Sequence, residues 1–168
     1  MGGNLYATDY NQNLYRVNPA TGAATLVGPT GIPAFPFPSH FTSNPDGTAN
    51  VFSATLFPAN GNLYATFDAN SVDPTSGNMT PAILNNVYRI DPSTAVATVV
   101  APTIQAISAV TQVNGTEYAF NVGTQQFLTL NLTNGGTSFV ANISPGGVYV
   151  GGATPRTFTP LGDGFESC

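Results

Sequence analysis

The sequence predicts an all-β protein assembled from repeated sheets. Helical periodicity is absent, and short runs of β-branched and aromatic residues alternate with turns rich in Asn, Gly, Asp and Pro. A Gly-x-x-Tyr motif recurs at Gly3, Gly61 and Gly115, at intervals of 58 and 54 residues. Such intervals suit four short antiparallel strands with their loops, so the chain is expected to be an array.

The first unit contains three predicted strands, at residues 4–8, 14–18 and 23–27. A hairpin turn joins the first two. A second turn begins at Asn18, where Pro19 presets φ and Gly22 supplies a positive φ. Asp91 and Asn131 occupy the place of Asn18 in the later units. Their recurrence predicts that all three residues cap turns.

The two later units gain a strand before their Gly-x-x-Tyr motif, at residues 51–57 and 104–110. Four-stranded units are therefore predicted at 51–100 and 104–143. The first unit, at residues 3–27, would be completed by a candidate strand at 147–153, because pairing strands from both ends removes exposed edges. One domain over residues 1–154 and a flexible tail over 155–168 are expected.

Two segments are predicted to be loops rather than strands of the repeat. Residues 28–46 contain five prolines, which removes backbone donors and excludes a central strand. Residues 68–84 form an insertion between the second and third strands of the second unit. This insertion is expected to be a long additional loop on one rim of the array.

The repeated motifs resemble a known group of proteins. GNLYAT at residues 61–66 and NVYRIDPST at residues 86–94 are similar to repeats of secreted bacterial β-propellers of the quinoprotein-like and YVTN- or NHL-like kind. This resemblance covers about residues 3–153 and implies a β-propeller-type array of about three four-stranded blades, one of them split between the N- and C-terminal strands. The chain has no Trp, so the tryptophan signatures of quinoprotein enzymes and of WD40 repeats are missing.

Three blades are fewer than a closed propeller contains, since closed rings typically have four to eight. Self-association or further blades of the same chain are therefore expected. Two copies completing a six-bladed ring, a fragment of a longer chain and a filament are the alternatives. The ending GDGFE at residues 162–166 is similar to that of some exported Gram-negative proteins, which implies an extracellular or cell-surface location. We expect a leader to be absent from this chain, because the strand pattern starts directly after Gly2.

The charge balance restricts the possible partners. Only 7% of residues are charged, the net charge is −5, and all three cations are arginines. Nucleic acid and a polybasic membrane patch are excluded, since both need clustered positive charge. No apolar run is long enough for a transmembrane helix, so membrane insertion is not expected. This charge balance is compatible with a protein or glycan ligand.

Aromatic residues on loops are the first candidates for ligand binding. The Pro-rich segment carries Phe35, Phe37, His40 and Phe41, and Tyr10 lies in another turn. Apolar rings on stiff loops stack on sugars or seat a protein partner at low entropic cost. The alternative is that these rings pack back onto the array.

Asp68, Asn70 and Asp73 are the candidates for a metal site. They place three oxygen-bearing side chains within six residues, and Ca²⁺ prefers such oxygen ligands. The spacing lacks the full EF-hand pattern, so an ordinary Asx-rich turn is the alternative. No other cofactor is predicted.

Catalytic chemistry has little support in the sequence. His40 is the only histidine, and no nucleophile elbow accompanies it. Glu117 is the only acid inside a predicted strand and is expected to face a channel or solvent. The predicted function is therefore a non-catalytic, exported binding or structural module. It would recognise a protein or glycan through its loops, or build an extracellular assembly by edge-to-edge contacts between blades. The alternative is a fragment of a larger propeller enzyme, either a hydrolase or a quinoprotein-like dehydrogenase.

Overall fold

The computed structural model shows an all-β protein. It describes residues 4–34, 41–43, 45, 47, 49–72, 75–76, 79–81, 85–103, 106–121 and 123–144. The strands in this part are β1 (Leu5–Thr8), β2 (Asn13–Val17), β3 (Ala24–Pro29), β4 (Phe41–Ser43), β5 (Ala49–Ala59), β6 (Asn62–Val72), β7 (Met79–Pro81), β8 (Asn85–Ile90), β9 (Ala97–Thr103), β10 (Ile107–Val113), β11 (Thr116–Asn121), β12 (Gln126–Leu130) and β13 (Thr137–Asn142).

These strands form three antiparallel sheets that follow the order of the chain. The first sheet is β1-β2-β3, and the last sheet is β10-β11-β12-β13. The middle sheet has four main strands, β5-β6-β8-β9, to which the short strands β4 and β7 add at β5 and β6. The all-β class and the grouping of strands into successive antiparallel units are thus confirmed.

Each sheet carries the same irregularity between its last two strands. One valine of the last strand, at position 27, 100 or 140, bulges out of the pairing. A bulge bends a strand and increases its twist. The bulge therefore lies at one equivalent place in all three sheets.

The turn before each last strand is also built the same way three times. In the first sheet the N–H of Gly22 donates to the carbonyl of Asn18 (2.8 Å), and the Asn18 side chain accepts from Ala20 N (2.9 Å). Asp91 accepts from Ser93 N (2.8 Å) and Asn131 from Thr133 N (2.8 Å). The prediction that Asn18, Asp91 and Asn131 cap turns is confirmed.

Asn-Gly pairs close the first hairpin of the middle and last sheets. Asn60 and Gly61 have φ of 48° and 74°, and Asn114 and Gly115 have 50° and 80°. Two successive positive φ values are the signature of the type I′ turn, whose twist matches that of the flanking strands. These turns fix the registers of β5 against β6 and of β10 against β11.

The middle sheet is packed on both sides. Side chains alternate along β6, so that Leu63, Ala65 and Phe67 pack with Leu14 of the first sheet. Tyr64 points the other way and packs with residues of the last sheet. Each sheet has two equivalent faces. We call near face the one that, in the middle and last sheets, points toward the preceding sheet. The opposite side is the far face, which in the first and middle sheets points toward the following sheet.

Small residues allow neighbouring sheets to approach closely at the repeated turns. The methyl group of Ala95 lies against Gly28, where an added Cβ would come within 3.5 Å of it. At the next junction the roles are exchanged, because Gly135 lies against Ala101 and an added Cβ there would overlap the Pro102 carbonyl. At each junction, therefore, one alanine methyl group faces one glycine. The alanine belongs to the later sheet at the first junction and to the earlier sheet at the second.

A polar network around Asp9 holds the turn between β1 and β2. The Asp9 carboxylate accepts from Asn13 N (2.9 Å), Asn13 Nδ2 (2.9 Å) and the Tyr15 hydroxyl (3.1 Å). Partial burial opposes ionisation of Asp9, but these hydrogen bonds outweigh it and lower its pKa below the usual value.

Acid is therefore expected to weaken the first sheet. A lowered folded-state pKa stabilises the fold at pH values above the unfolded pKa of 3.8, and this stabilisation is lost as pH falls through the folded value. The stability of Asp9→Asn should consequently fall less than that of the natural chain between pH 5 and strong acid. Urea unfolding across this pH range measures the difference, and parallel pH profiles of the two proteins would contradict the role of Asp9.

The two predicted loops contain more strand than expected. Within residues 28–46, β3 continues to Pro29, and β4 (Phe41–Ser43) pairs with β5 at the edge of the middle sheet. Within residues 68–84, β6 continues to Val72 and pairs with β7. The prediction that Asp68 starts a loop is wrong, because tertiary pairing extends the hairpin beyond the repeated motif. The candidate strand at 147–153 and the tail lie outside the described residues.

Candidate functional site

Three open clefts lie at equivalent places of the three sheets. We call them the first, second and third rim clefts, with volumes of about 400, 580 and 600 Å³. Each is lined by residues at the start of one strand (β1, β6 or β11) and at the end of the next (β2, β8 or β12). The turn that follows and the last strand of the sheet complete the lining. The first cleft is lined by Asn4, Arg16, Val17, Asn18, Pro19, Ala23 and Thr25. The second is lined by Asn62, Arg89, Ile90, Asp91, Pro92, Thr94, Val96 and Thr98.

The rim clefts share a common construction. An aliphatic side chain, Val17, Ile90 or Leu130, directly precedes the turn. Asn18, Asp91 or Asn131 follows it, with the side-chain oxygen held by a backbone N–H two residues later. Thr and Asn side chains recur in all three linings, with an Arg in the first two and a Ser in the third. Such a surface offers many hydrogen-bonding groups and little apolar area.

Arg16 and Arg89 give the first two rim clefts a positive group. Arg16 lies opposite Tyr6 across β1 and β2, and Arg89 lies opposite Tyr64 across β6 and β8. Both guanidinium-bearing side chains are exposed. Among the described residues, no hydrogen bond or ion pair engages either guanidinium group. Both are therefore available to a carboxylate in the cleft, for which the guanidinium fork is well suited.

Asp91 adds a negative group to the second rim cleft. Its carboxylate accepts from the Ser93 hydroxyl (2.6 Å) and the Ser93 N–H (2.8 Å). These hydrogen bonds lower the pKa of Asp91 below its usual value. The second rim cleft is thus lined by a carboxylate held by its turn and by the guanidinium of Arg89.

The third rim cleft replaces the arginine with Thr129 and gains Glu117. Glu117 Oε1 accepts from Gln112 Nε2 (2.7 Å) and Asn60 Nδ2 (3.2 Å), and Gln112 Nε2 also donates to Asn60 Oδ1 (3.0 Å). Only 8% of Glu117 is exposed. The expectation that it faces a channel or solvent is wrong, because amides from the two Asn-Gly hairpin ends enclose its carboxylate at the junction of the middle and last sheets.

The aromatic loop predicted from the sequence is only partly described. Tyr10 lies in the turn between β1 and β2 with 44% of its surface exposed, as its place in the sequence suggested. Phe41 begins β4, and its side chain lies outside the described residues, as do Phe35, Phe37 and His40. Ligand binding by these four residues and by Tyr10 stays a prediction.

The predicted calcium ligands begin in a strand instead of a turn. Asp68 is fully buried in β6, and its Oδ2 accepts from Ile107 N of the last sheet (3.1 Å). Asn70 follows in β6, and its side chain and Asp73 lie outside the described residues. Within the described part of the chain, no three His, Cys, Asp or Glu side chains form a metal-binding group. Asp68 has a structural contact, joining the middle and last sheets.

A substitution at Asp68 should show this structural contact. Asp68→Ala removes the acceptor of a buried N–H, which typically costs about 1–3 kcal/mol. Asp68→Asn keeps an oxygen at the same place and should cost less. Thermal unfolding of the two variants measures the difference, and a larger loss for Asp68→Asn than for Asp68→Ala would contradict the assignment.

The sequence interpretation missed Arg16 and Arg89 as candidate site residues. The available signal was their equivalence, since the pairs Tyr15-Arg16 and Tyr88-Arg89 recur before the capped turns. Two of the three cations of the chain thus occupy one repeat position. Only the structure shows that this position opens into a cleft.

The described part of the chain contains no helix that could cross a membrane. The chain matches no protein-family model and no curated protein sequence.

Proposed function

We propose that this protein is a non-catalytic, exported binding module in which the three sheets are consecutive blades of a β-propeller-type array. The rim clefts bind successive units of a carbohydrate polymer that carries carboxylates. The observation that carries this proposal is the presence of the same polar cleft at the same place in three repeats.

A repeated cleft favours a repeated ligand. Each cleft is shallow and offers few apolar contacts, so a single sugar would bind weakly. A polymer that engages two or three clefts gains affinity, because each further contact is intramolecular once the first has formed. A regular array of sheets presents such clefts along one rim, as repeat proteins commonly do with their binding surfaces.

The arginines identify the charged part of the ligand. The chain carries a net charge of −5, which repels a dense polyanion. Arg16 and Arg89 nevertheless place one exposed cation in each of two equivalent clefts. Sugar carboxylates at wide intervals match this pattern, since each would pair with one guanidinium while sugar hydroxyls meet Asn, Thr and backbone groups.

The chemistry of the described residues favours binding over catalysis. Glu117 is the one carboxylate in the third cleft, and two amide groups donate to it. An acid–base pair for glycoside hydrolysis would need a second carboxyl group across the bond to be broken. The propeller-enzyme alternative has no observation among the described residues in its favour.

Substitution of the two arginines tests the ligand. An ion pair at an exposed site typically contributes about 0.2–1 kcal/mol, so Arg16→Ala and Arg89→Ala should each weaken binding of a polyuronate by up to about fivefold. Isothermal titration calorimetry with polygalacturonate measures this effect. Neutral dextran should bind weakly and should be insensitive to both substitutions.

Arg16→Lys and Arg89→Lys are the matched variants. They keep the charge but lose the two-pronged geometry, so they should fall between the natural chain and the alanine variants. Polyuronate binding that is unchanged in Arg16→Ala/Arg89→Ala, or no polyuronate binding by the natural chain, would overturn the proposal.

A further inference from the structure

The near face of the first sheet is more open than the near faces of the other two. In the middle sheet, Leu63 and Tyr88 on this face are only 3% and 8% exposed. Their counterparts in the first sheet are Leu5, 52% exposed, and the half-buried Tyr15. The same holds for Val17, which is half-buried where the equivalent Ile90 is buried.

Outer positions of the sheets provide an internal control for this comparison. Leu26, Val99 and Phe139 occupy equivalent places in the last strands and are 56%, 52% and 59% exposed. Exposure at this position is therefore a property of every sheet. The exposure of Leu5 and Val17 is specific to the first sheet, which has no described sheet against its near face.

The far face of the last sheet is open in the complementary way. Val140 is 44% exposed, whereas the equivalent Val27 and Val100 pack against the cores between sheets. Ala141 is exposed, whereas the equivalent Ala101 is 4% exposed. The stack thus ends in an open near face at one side and an open far face at the other.

The small residues at the two ends match as well. Each internal junction pairs one Gly with one Ala, through Gly28 with Ala95 and Ala101 with Gly135. At the open ends the turn position is Gly22, where an added Cβ would meet nothing within 4 Å, and the strand position is Ala141. Gly22 against Ala141 would reproduce the arrangement of Gly135 against Ala101.

We propose that the near face of the first sheet, formed by Leu5, Ala7, Tyr15 and Val17, binds the far face of the last sheet of a second copy of this chain. The far face contributes Tyr118, Phe127, Val140 and Ala141. This joint continues the series of junctions already present between the three sheets. It rests on the blade arrangement proposed above and does not use Arg16 or Arg89, although Val17 also lines the first rim cleft.

A second copy fits these faces better than an unrelated protein. The side chains named for both faces are uncharged, so two copies of a chain with a net charge of −5 would meet through neutral surfaces. The far faces of the first and middle sheets already seat a near face of this chain. The last sheet has the same repeat positions and the Ala141 that the Gly22 turn requires.

The contact is head-to-tail, which permits a decisive test by mixing. Leu5→Asp damages only the near face, and Val140→Asp damages only the far face. Each variant alone should be monomeric at concentrations where the natural chain assembles, because every joint then contains one damaged face. An equimolar mixture should form dimers with one intact joint and no larger species.

Size-exclusion chromatography with light scattering measures these masses. Val99→Asp, at the position exposed in every sheet, is the matched control and should assemble like the natural chain. Circular dichroism should show that all three variants keep the natural strand content. The natural chain should have the mass of a closed dimer or of a longer head-to-tail assembly.

A monomeric natural chain at 100 μM would overturn this proposal, and so would assembly of either variant alone. Failure of the folded variants to join on mixing would also overturn it. Because the joint excludes Arg16 and Arg89, loss of assembly with polyuronate binding retained would separate it from the carbohydrate proposal. The reverse result would refute the carbohydrate proposal alone.

Discussion

Gly135→Ala is expected to lower the free energy of unfolding by about 3 kcal/mol. A left-handed backbone costs a non-glycine residue about 1–2 kcal/mol, and Gly135 has a φ of 70°. The added Cβ would also lie 1.9 Å from the Pro102 carbonyl oxygen of the middle sheet. Overpacking against backbone typically adds about 1–3 kcal/mol. Urea unfolding followed by circular dichroism measures the sum.

Gly22→Ala is the matched control for this prediction. Gly22 has a φ of 72° in the equivalent turn, but an added Cβ would meet nothing within 4 Å in a single copy. The variant should lose only the backbone term, about 1–2 kcal/mol. Equal losses at the two glycines, measured on monomeric protein, would contradict the close approach of the last and middle sheets.

Leu14→Ala is expected to lower the free energy of unfolding by about 2–5 kcal/mol. Leu14 is completely buried and belongs to the core that joins the first sheet to Leu63, Phe67 and Tyr88 of the middle sheet. Truncation leaves a cavity at the junction, where extended sheets have little freedom to collapse. Chemical unfolding should show this loss through a lower midpoint.

Leu26→Ala makes the same chemical change in the same sheet at a site that is 56% exposed. It should change stability by less than about 1 kcal/mol, since little apolar surface is buried there. A similar loss in both leucine variants would show that the first sheet does not depend on its contact with the middle sheet.

The repeated motifs predicted much of the fold because they specify turns through interactions between residues close in sequence. Asn60-Gly61 and Asn114-Gly115 specify type I′ hairpins, whose geometry requires positive φ at both positions. Asn18, Asp91 and Asn131 specify turns through hydrogen bonds to backbone two residues later. Such signals act within a few residues, so they can be recognised in the sequence without knowing which strands lie nearby.

The extensions of the middle sheet could not be predicted from the sequence in the same way. Residues 68–72 look like an acidic loop because Asp68, Asn70 and Ser71 have low strand propensity. Pairing with β5 over eleven residues nevertheless keeps them in β6. Burial of Asp68 depends on the N–H of Ile107, which is distant in sequence. A single sequence carries no signal of that contact.

The candidate site, too, could be predicted from the sequence only in part. The sequence shows that Tyr15-Arg16 and Tyr88-Arg89 occupy repeat positions, but only the packed sheets turn these positions into open clefts. Glu117 looked accessible because alternation along a strand predicts its face and not its coverage. The amides of Asn60 and Gln112 reach it only because the middle and last sheets meet there.

For this protein, the sequence by itself determined the all-β class, the strand order, the hairpin turns and the capped turns, because strand alternation and turn chemistry are short-range properties. Tertiary structure decided which faces are covered, how far β6 runs, and where Gly and Ala exchange roles between sheets. The physical reason is that burial and steric fit depend on which sheet lies opposite, and contacts between sheets are set by chain segments far apart in sequence.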